Sequence, residues 1–306
     1  LDDVSFRALS GTINRPRFEE SNLKFVRFGP AGQERPGIVA SDGQIRDLST
    51  LVADLAGDAL DPDRLRRFAE VDVSSLPPAP RDSRIGPCVT GVGKFVGIGL
   101  NYADHAAETN APIPEEPIVF MKATSAICGP NDDVVKPRGS TKLDWEVELG
   151  IVIGRTARYV DEATALDHVA GYCVVNDVSE RSFQLERGGT WDKGKGCDTF
   201  GPIGPWLVLP DEAGDVTNLS MWLSVNGKRY QDGSTRTMIF KPAFLISYLS
   251  RFMSLHPGDV ICTGTPPGVG LGQKPPVFLA PGDVMELGIE RLGTQRQRVV
   301  EWRETS

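Results

Sequence analysis

From Lys94 onward the chain is divided into short apolar runs by glycine and proline. FVGIGL, IVFMK, ELGIVIG, GYCVVNDV, GPWLVL, MWLSVNGK, GDVICTG and GDVMELGIE are each five to nine residues long, the length of strands rather than of core helices. His256-Pro257-Gly258-Asp259 and Ala280-Pro281-Gly282-Asp283 each set a Pro-Gly turn ahead of such a run. This patterning commits the larger part of the chain to a β-rich fold of the α+β class. Helical spacing interrupts it at Glu162 to His168 and at Ala243 to Phe252. In the second segment Phe244, Leu245, Tyr248, Leu249 and Phe252 form a stripe expected to pack into the core.

Leu23 to Phe28 alternates like a strand, and Gly37 to Ala40, Ser41-Asp42-Gly43 and Gln44 to Leu48 read as strand, tight turn, strand. A helical stretch is expected around Leu51 to Phe68, followed by a stiff extended connection through Leu76-Pro77-Pro78-Ala79-Pro80 and Gly86-Pro87. The expected organisation is an extension over 1–22, disordered or expression-derived, a small N-terminal domain over 23–85 and a larger domain over 86–306.

Composition narrows the partners. The net charge is -8 with a sequence pI near 5.1, and no block of Lys or Arg forms a stripe, which argues against nucleic acid or an anionic membrane surface and for a small-molecule ligand. No apolar stretch nears the roughly 20 residues that span a bilayer, and no basic-then-apolar leader opens the chain, so a cytoplasmic location is expected. The five cysteines are scattered without a CxxC spacing; small buried hydrophobes, not a disulfide framework or a zinc knuckle, are expected.

Two acids stand inside the strongest apolar run. In Asp144-Trp145-Glu146-Val147-Glu148-Leu149-Gly150 the alternation is that of a half-buried strand, placing Glu146 and Glu148 on one face. Asp177 closes the run Gly171 to Asn176, where a buried strand opens toward a site. Three hard oxygen donors with no Cys or His beside them suit Mg2+ or Mn2+, with open positions for water and substrate. On strand pattern alone, the wet face of a strand explains Glu146 and Glu148 as readily.

His105 and Glu108, three apart in Asn101-Tyr102-Ala103-Asp104-His105-Ala106-Ala107-Glu108, share a face if a helical turn opens there, and the carboxylate could then raise the basicity of the imidazole toward water. The Pro-rich stretch 109–117 follows and reads as a flap or as a plain surface loop. Arg181, Gln184, Lys193 and Lys195 supply cationic and polar candidates beyond Asp177; a lysine near an oxyanion would stabilise developing charge. Gly264 to Gly272 is rich in glycine, yet it lacks a Gly-Lys-Ser/Thr ending and runs into Lys274-Pro275-Pro276 rather than a helix. It is expected to bring its backbone and the Thr265 hydroxyl close to a ligand, not to cradle phosphate.

Taken in order, GLNYADHAAE, PIVFMKATSA, DWEVELGIVIG, GYCVVNDVSER, a Lys-x-x-x-x-Phe-Gly-Pro-Ile-Gly stretch starting at Lys195, and GDVICTGTPPGVG closely resemble the fumarylacetoacetate hydrolase superfamily over roughly residues 94 to 290. The resemblance implies a mixed β-sandwich roll as catalytic domain behind a small N-terminal α/β domain, assembled as a homodimer. It implies Glu146, Glu148 and Asp177 as ligands of Mg2+ or Mn2+, His105 with Glu108 as the water-activating dyad, and Lys195 as stabiliser of an enolate or oxyanion. Lys122, Arg181, Gln184 and Thr265 fall where relatives contact substrate, and Lys122 and Arg181 serve equally well as braces of the metal site. The short N-terminal part fits the bacterial acylpyruvase-like branch, and the stretch 236–279 looks most like hydrolases of 2,4-diketo-3-deoxy sugar acids such as 2,4-diketo-3-deoxy-L-rhamnonate. The implied reaction is hydrolysis of the C3–C4 bond of a 2,4-diketo acid to pyruvate and a second acid. The same apparatus also suits oxaloacetate decarboxylation, keto-enol isomerisation, hydrolysis of maleylpyruvate or fumarylpyruvate, or a non-catalytic sugar-acid binding protein.

Overall fold

A computed structural model describes residues 24–108 and 112–304; the extension expected over 1–22 lies outside the described residues, as do residues 109–111 of the expected flap. In chain order the strands are β1 (Lys24–Phe28), β2 (Arg35–Val39), β3 (Ile45–Asp47), β4 (Phe95–Gly99), β5 (Ile118–Lys122), β6 (Ile127–Cys128), β7 (Val134–Lys136), β8 (Leu143–Asp144) and β9 (Val147–Ile153). They continue as β10 (Val169–Asn176), β11 (Ser179–Glu180), β12 (Gly201–Val208), β13 (Ser220–Val225), β14 (Lys228–Ser234), β15 (Val260–Cys262), β16 (Val284–Ile289) and β17 (Gly293–Glu301). The short helices are α1 (Pro62–Arg67), α2 (Ala103–Glu108), α3 (Arg181–Leu185), α4 (Asp192–Lys195), α5 (Pro210–Ala213) and α6 (Pro242–Leu249).

Two sheets form the body. The larger runs β3-β2-β1-β12-β10-β9-β15-β4-β5 with β6 beside β12; the smaller runs β14-β13-β16-β17-β7. Most neighbours are antiparallel, but β15 lies parallel to β4, β6 to β12 and β7 to β17. The first three strands are hydrogen-bonded into the larger sheet through β1 on β12, where Phe25 faces Leu207. This β-rich, mixed-sheet architecture is the α+β fold that the run pattern implies.

The central strands are buried on both faces. Trp145, Val147, Leu149 and Ile151 join Met221, Leu223, Met285 and Leu287 of the smaller sheet in one core cluster. Val152, Cys173 and Val175 point the other way, into a second cluster with Phe25, Ile38, Leu60 and Leu65. All seven residues of β9 are therefore buried, which corrects the half-buried strand read from the alternation. The second cover comes from residues far away in the chain, which no local pattern announces.

Helices are shorter than their spacing suggested. Of the stretch around Leu51 to Phe68 only Pro62–Arg67 is α-helical, between 3-10 turns at Gly57–Leu60 and Phe68–Glu70. Asp61 caps it by accepting from the backbone N–H groups of Asp63 and Arg64, with Pro62 at the first helical position. Glu162–His168 is a 3-10 helix. The expected core stripe splits: on α6 Leu245 and Leu249 are buried whereas Phe244 and Tyr248 are half-buried, and Phe252, in the turn beyond the helix, is 65% exposed. The aromatics stack on one another instead, Phe240 on Phe244 and Phe244 on Tyr248, with Phe252 edge-on.

Candidate metal centre and active site

Strand register assembles the acids. In the β9–β10 ladder Glu148 lies opposite Val175 and Val147 opposite Asn176, and just beyond it the Asp177 N–H donates to the Glu146 carbonyl at 2.9 Å. Residues directly opposite share a face, so Glu146, Glu148 and Asp177 converge where β9 begins and β10 ends. One carboxylate oxygen from each lies within 4.8 Å of the other two, and all three side chains are buried. The wet-face alternative for Glu146 and Glu148 is thereby excluded.

Cations crowd the same point. Lys195 Nζ, carried by α4, donates to Glu146 Oε2 at 2.6 Å and Asp177 Oδ2 at 2.7 Å. Arg181 Nη2, at the start of α3, donates to Glu146 Oε1 at 2.6 Å. Lys122 Nζ donates to Asp177 Oδ1 and to the Lys195 carbonyl, both at 2.5 Å. Four buried carboxylates, those of Asp144, Glu146, Glu148 and Asp177, thus share one region with three buried cations, Lys122, Arg181 and Lys195.

The electrostatic consequences differ from acid to acid. Burial would raise Glu146, but Lys195 and Arg181 outweigh it and hold the carboxyl well below the usual range. Burial, then the charges of Asp177 and Glu146, push Glu148 well above that range; the Lys195 charge and the Gly264 N–H at 2.7 Å oppose the rise without offsetting it. Burial would lower Lys195, but Asp177 and Glu146 outweigh it and keep the ammonium charged. A divalent cation among the three carboxylates would relieve the repulsion that Glu148 bears, and three hard oxygen donors suit Mg2+ or Mn2+, so the residues fit such an ion.

A cavity of about 220 Å3 opens beside the acids. Glu146, Glu148, Arg181, Gln184, Lys195 and His105 line its polar end, and Leu100, Phe120, Leu185, Trp191, Val269 and Leu271 make an apolar wall. His105 sits on α2, with its Nδ1 3.1 Å from Glu108 Oε2. With the Nδ1 proton given to that carboxylate, Nε2 carries the lone pair.

The family model described as the C-terminal part of fumarylacetoacetate (FAA) hydrolase matches residues 94–300, the span that contributes every residue of the cavity. The chain belongs to the fumarylacetoacetate hydrolase family. A Burkholderia lata protein provisionally named a hydrolase is 63% identical over 276 residues, 90% of this chain and 98% of its own. The structure of a fumarylacetoacetate hydrolase from psychrophilic Exiguobacterium antarcticum superposes with a TM-score of 0.81 at 35% identity, covering 92% of this chain and all of that one. Maleylpyruvate hydrolase from Sphingobium sp. SYK-6 superposes with a TM-score of 0.75 at 30% identity, over 91% of this chain and all of that one.

In this family member not every expected substrate contact reaches the cavity. Arg181, Gln184 and Thr265 line it, whereas Lys122 does not; its ammonium is held by Asp177 and two carbonyls, those of Val178 and Lys195. The Lys122 ammonium thus sits on Asp177 and not at the cavity wall. The Thr265 hydroxyl donates to the Val147 carbonyl at 2.9 Å and accepts from Gln231 Nε2 at 2.8 Å, so it can only accept a further hydrogen bond. Lys193 turns outward to the Arg187 carbonyl.

The glycine-rich segment serves the protein's own acids. Its backbone N–H groups donate from Gly264 to Glu148, from Gly268 to Glu108 at 3.0 Å, and from Gly270 and Leu271 to Asp144 at 2.6 and 2.9 Å. Gly268 has φ +104° and no room for a Cβ, which would stand 2.0 Å from the Tyr230 carbonyl oxygen. Sequence reasoning missed this rail, and with it Asp144, Asn101 and Gln231. Asn101 is fully buried and ties the turn before α2 to Thr263 and Phe240. A polar residue at a strand end was the available signal for Asp144; nothing local named its partners.

Proposed function

We propose that this protein is a divalent-metal-dependent hydrolase that cleaves the C3–C4 bond of a 2,4-diketo acid, giving pyruvate and a second carboxylic acid. The observation that carries the reading is a cavity that opens on a carboxylate cluster fit for a divalent cation and is lined by a buried lysine and arginine and by a histidine held on a carboxylate. Mg2+ or Mn2+, held by Glu146, Glu148 and Asp177, would supply Lewis acidity to the substrate's oxygens. Arg181 and Lys195 bring positive charge to the end of the cavity where the substrate carboxylate and its enolate oxygen must lie. His105 takes a proton from water through Nε2, while Glu108 holds Nδ1 and stabilises the imidazolium. The hydroxide adds to C4; the C3–C4 bond then breaks with its electron pair leaving as pyruvate enolate, and the proton returns at C3.

For the tail of the substrate two readings have support. The likeness of 236–279 to hydrolases of 2,4-diketo-3-deoxy sugar acids supports a hydroxylated tail, as in 2,4-diketo-3-deoxy-L-rhamnonate. The wall of Leu100, Phe120, Leu185, Trp191, Val269 and Leu271 favours a less hydroxylated acylpyruvate, since hydroxyls buried there lose hydrogen bonds to water. Pyruvate release from both kinds of acid, with Mn2+ and with chelator, tests the proposal. Metal-dependent pyruvate from either supports it and ranks the tails. Release of CO2 from oxaloacetate, or ketonisation of an enol, with no C3–C4 cleavage of any diketo acid would replace hydrolysis with decarboxylation or isomerisation.

A further inference from the structure

Asp144 opens the stretch that supplies two of the three clustered carboxylates, yet it does not belong to that cluster. Its side chain is fully buried and takes four hydrogen bonds: from its neighbour's N–H on Trp145, from Gly270 and Leu271, and from Arg181 Nε at 2.8 Å. The guanidinium is equally committed. Nε goes to Asp144 Oδ2, Nη2 to Glu146 Oε1 at 2.6 Å and Nη1 to Gln184 Oε1 at 3.0 Å.

An arginine edge made of Nε and Nη2 prefers to grip one carboxylate with both N–H groups. Here that edge is divided between two carboxylates. We propose that Asp144 is a positioning residue of the metal centre: by holding Arg181 Nε it limits Arg181 to one hydrogen bond, on Glu146 Oε1, and keeps the guanidinium off Oε2, the oxygen that Lys195 Nζ meets at 2.6 Å and that a bound ion would share. Without Asp144 the buried Nε–H loses its acceptor, and Glu146, already bonded to the adjacent Nη2, is the carboxylate on which that edge can close. Glu146 is then gripped by both prongs and withdrawn from the ion. The same carboxylate pins Gly270 and Leu271, so the cavity wall at Leu271 and the ligand at Glu146 are set by one group. This inference rests on the metal site proposed above.

Mn2+ alone is the probe, titrated into the full-length protein by calorimetry and by the loss of the free-ion EPR signal, with the thermal midpoint of the metal-free protein recorded in parallel. Asp144→Asn is nearly isosteric. Its one oxygen best serves the Trp145 and Gly270 N–H groups, which turns its NH2 toward Arg181. Mn2+ affinity is expected to fall by about 10- to 100-fold. In an Arg181→Gln background the same substitution is expected to change affinity by no more than about twofold, since no fork remains to be released. An Asp144→Asn protein that binds Mn2+ like the parent, or that loses equally in both backgrounds, overturns the proposal. If Asp144→Asn alone does not fold, the double variant carries the test: binding as tight as Arg181→Gln supports the assignment, and weaker binding by about tenfold overturns it. A parent that binds no Mn2+ overturns the metal site itself along with this inference, which separates the two failures.

Discussion

His105 and Glu108 occupy one short helix, and Glu108 is gripped from the far side by the Gly268 N–H. The dyad is therefore held by a contact 160 residues distant in the chain. Replacing His105 with alanine should lower kcat for pyruvate release by about 100- to 10,000-fold while leaving Mn2+ affinity unchanged; full retained cleavage would show that another group activates the water. Gly272→Ala offers a finer test. Its Cβ would stand 2.8 Å from Glu108 Cδ, at a glycine whose φ is not in the left-handed region. Displacing Glu108 should cost about 10- to 100-fold in kcat without a comparable change in KM, and an unaltered kcat would mean that Glu108 does not orient the base. Glu146 with Glu148, and His105 with Glu108, are legible in the sequence because each pair lies within four residues; Asp177 is read separately, from its place at the end of an apolar run. Asp144's true partners, Arg181 and the Gly270 turn, lie 37 and 126 residues away, and a buried ion pair of that separation leaves no periodic trace.

Among elements, β9 and α6 show how burial overrides local pattern. The Glu146/Glu148 alternation resembles a strand with one wet face, yet the N-terminal strands and α1 supply a second cover, through Phe25, Ile38 and Leu65. On α6 the reverse holds, since helical spacing predicts one apolar face and the helix carries two. Leu249 is fully buried and Phe252 largely exposed. Leu249→Ala should therefore destabilise by about 2–5 kcal/mol, whereas Phe252→Ser should stay within about 0.5 kcal/mol. Urea unfolding of the two variants checks both; equal losses would contradict the split of the stripe. The strands were legible as runs of five to nine residues, while helix lengths were overread at 51–68, where only Pro62–Arg67 is α-helical.

At the scale of the molecule, the larger sheet gathers its functional groups at one end: the start of β9, the end of β10 and the segments after β4 and β15. The order of strands that achieves this, with β15 between β9 and β4, was not readable, because it depends on pairings between strands more than 100 residues apart. A bound cation would knit that end together. At a concentration about 100 times its Kd, Mn2+ should stabilise the protein by about 2.7 kcal/mol, and Glu148→Gln should abolish most of the shift in a thermal melt; a shift of the same size in Glu148→Gln would place the ion elsewhere. The central claim is most directly tested by following pyruvate release from a 2,4-diketo acid while Mn2+ is returned to chelator-stripped parent protein and to Glu146→Gln. Activity that is absent in the stripped parent, rises saturably with Mn2+, and does not return in Glu146→Gln is the expected result. Undiminished cleavage by the stripped parent would contradict it.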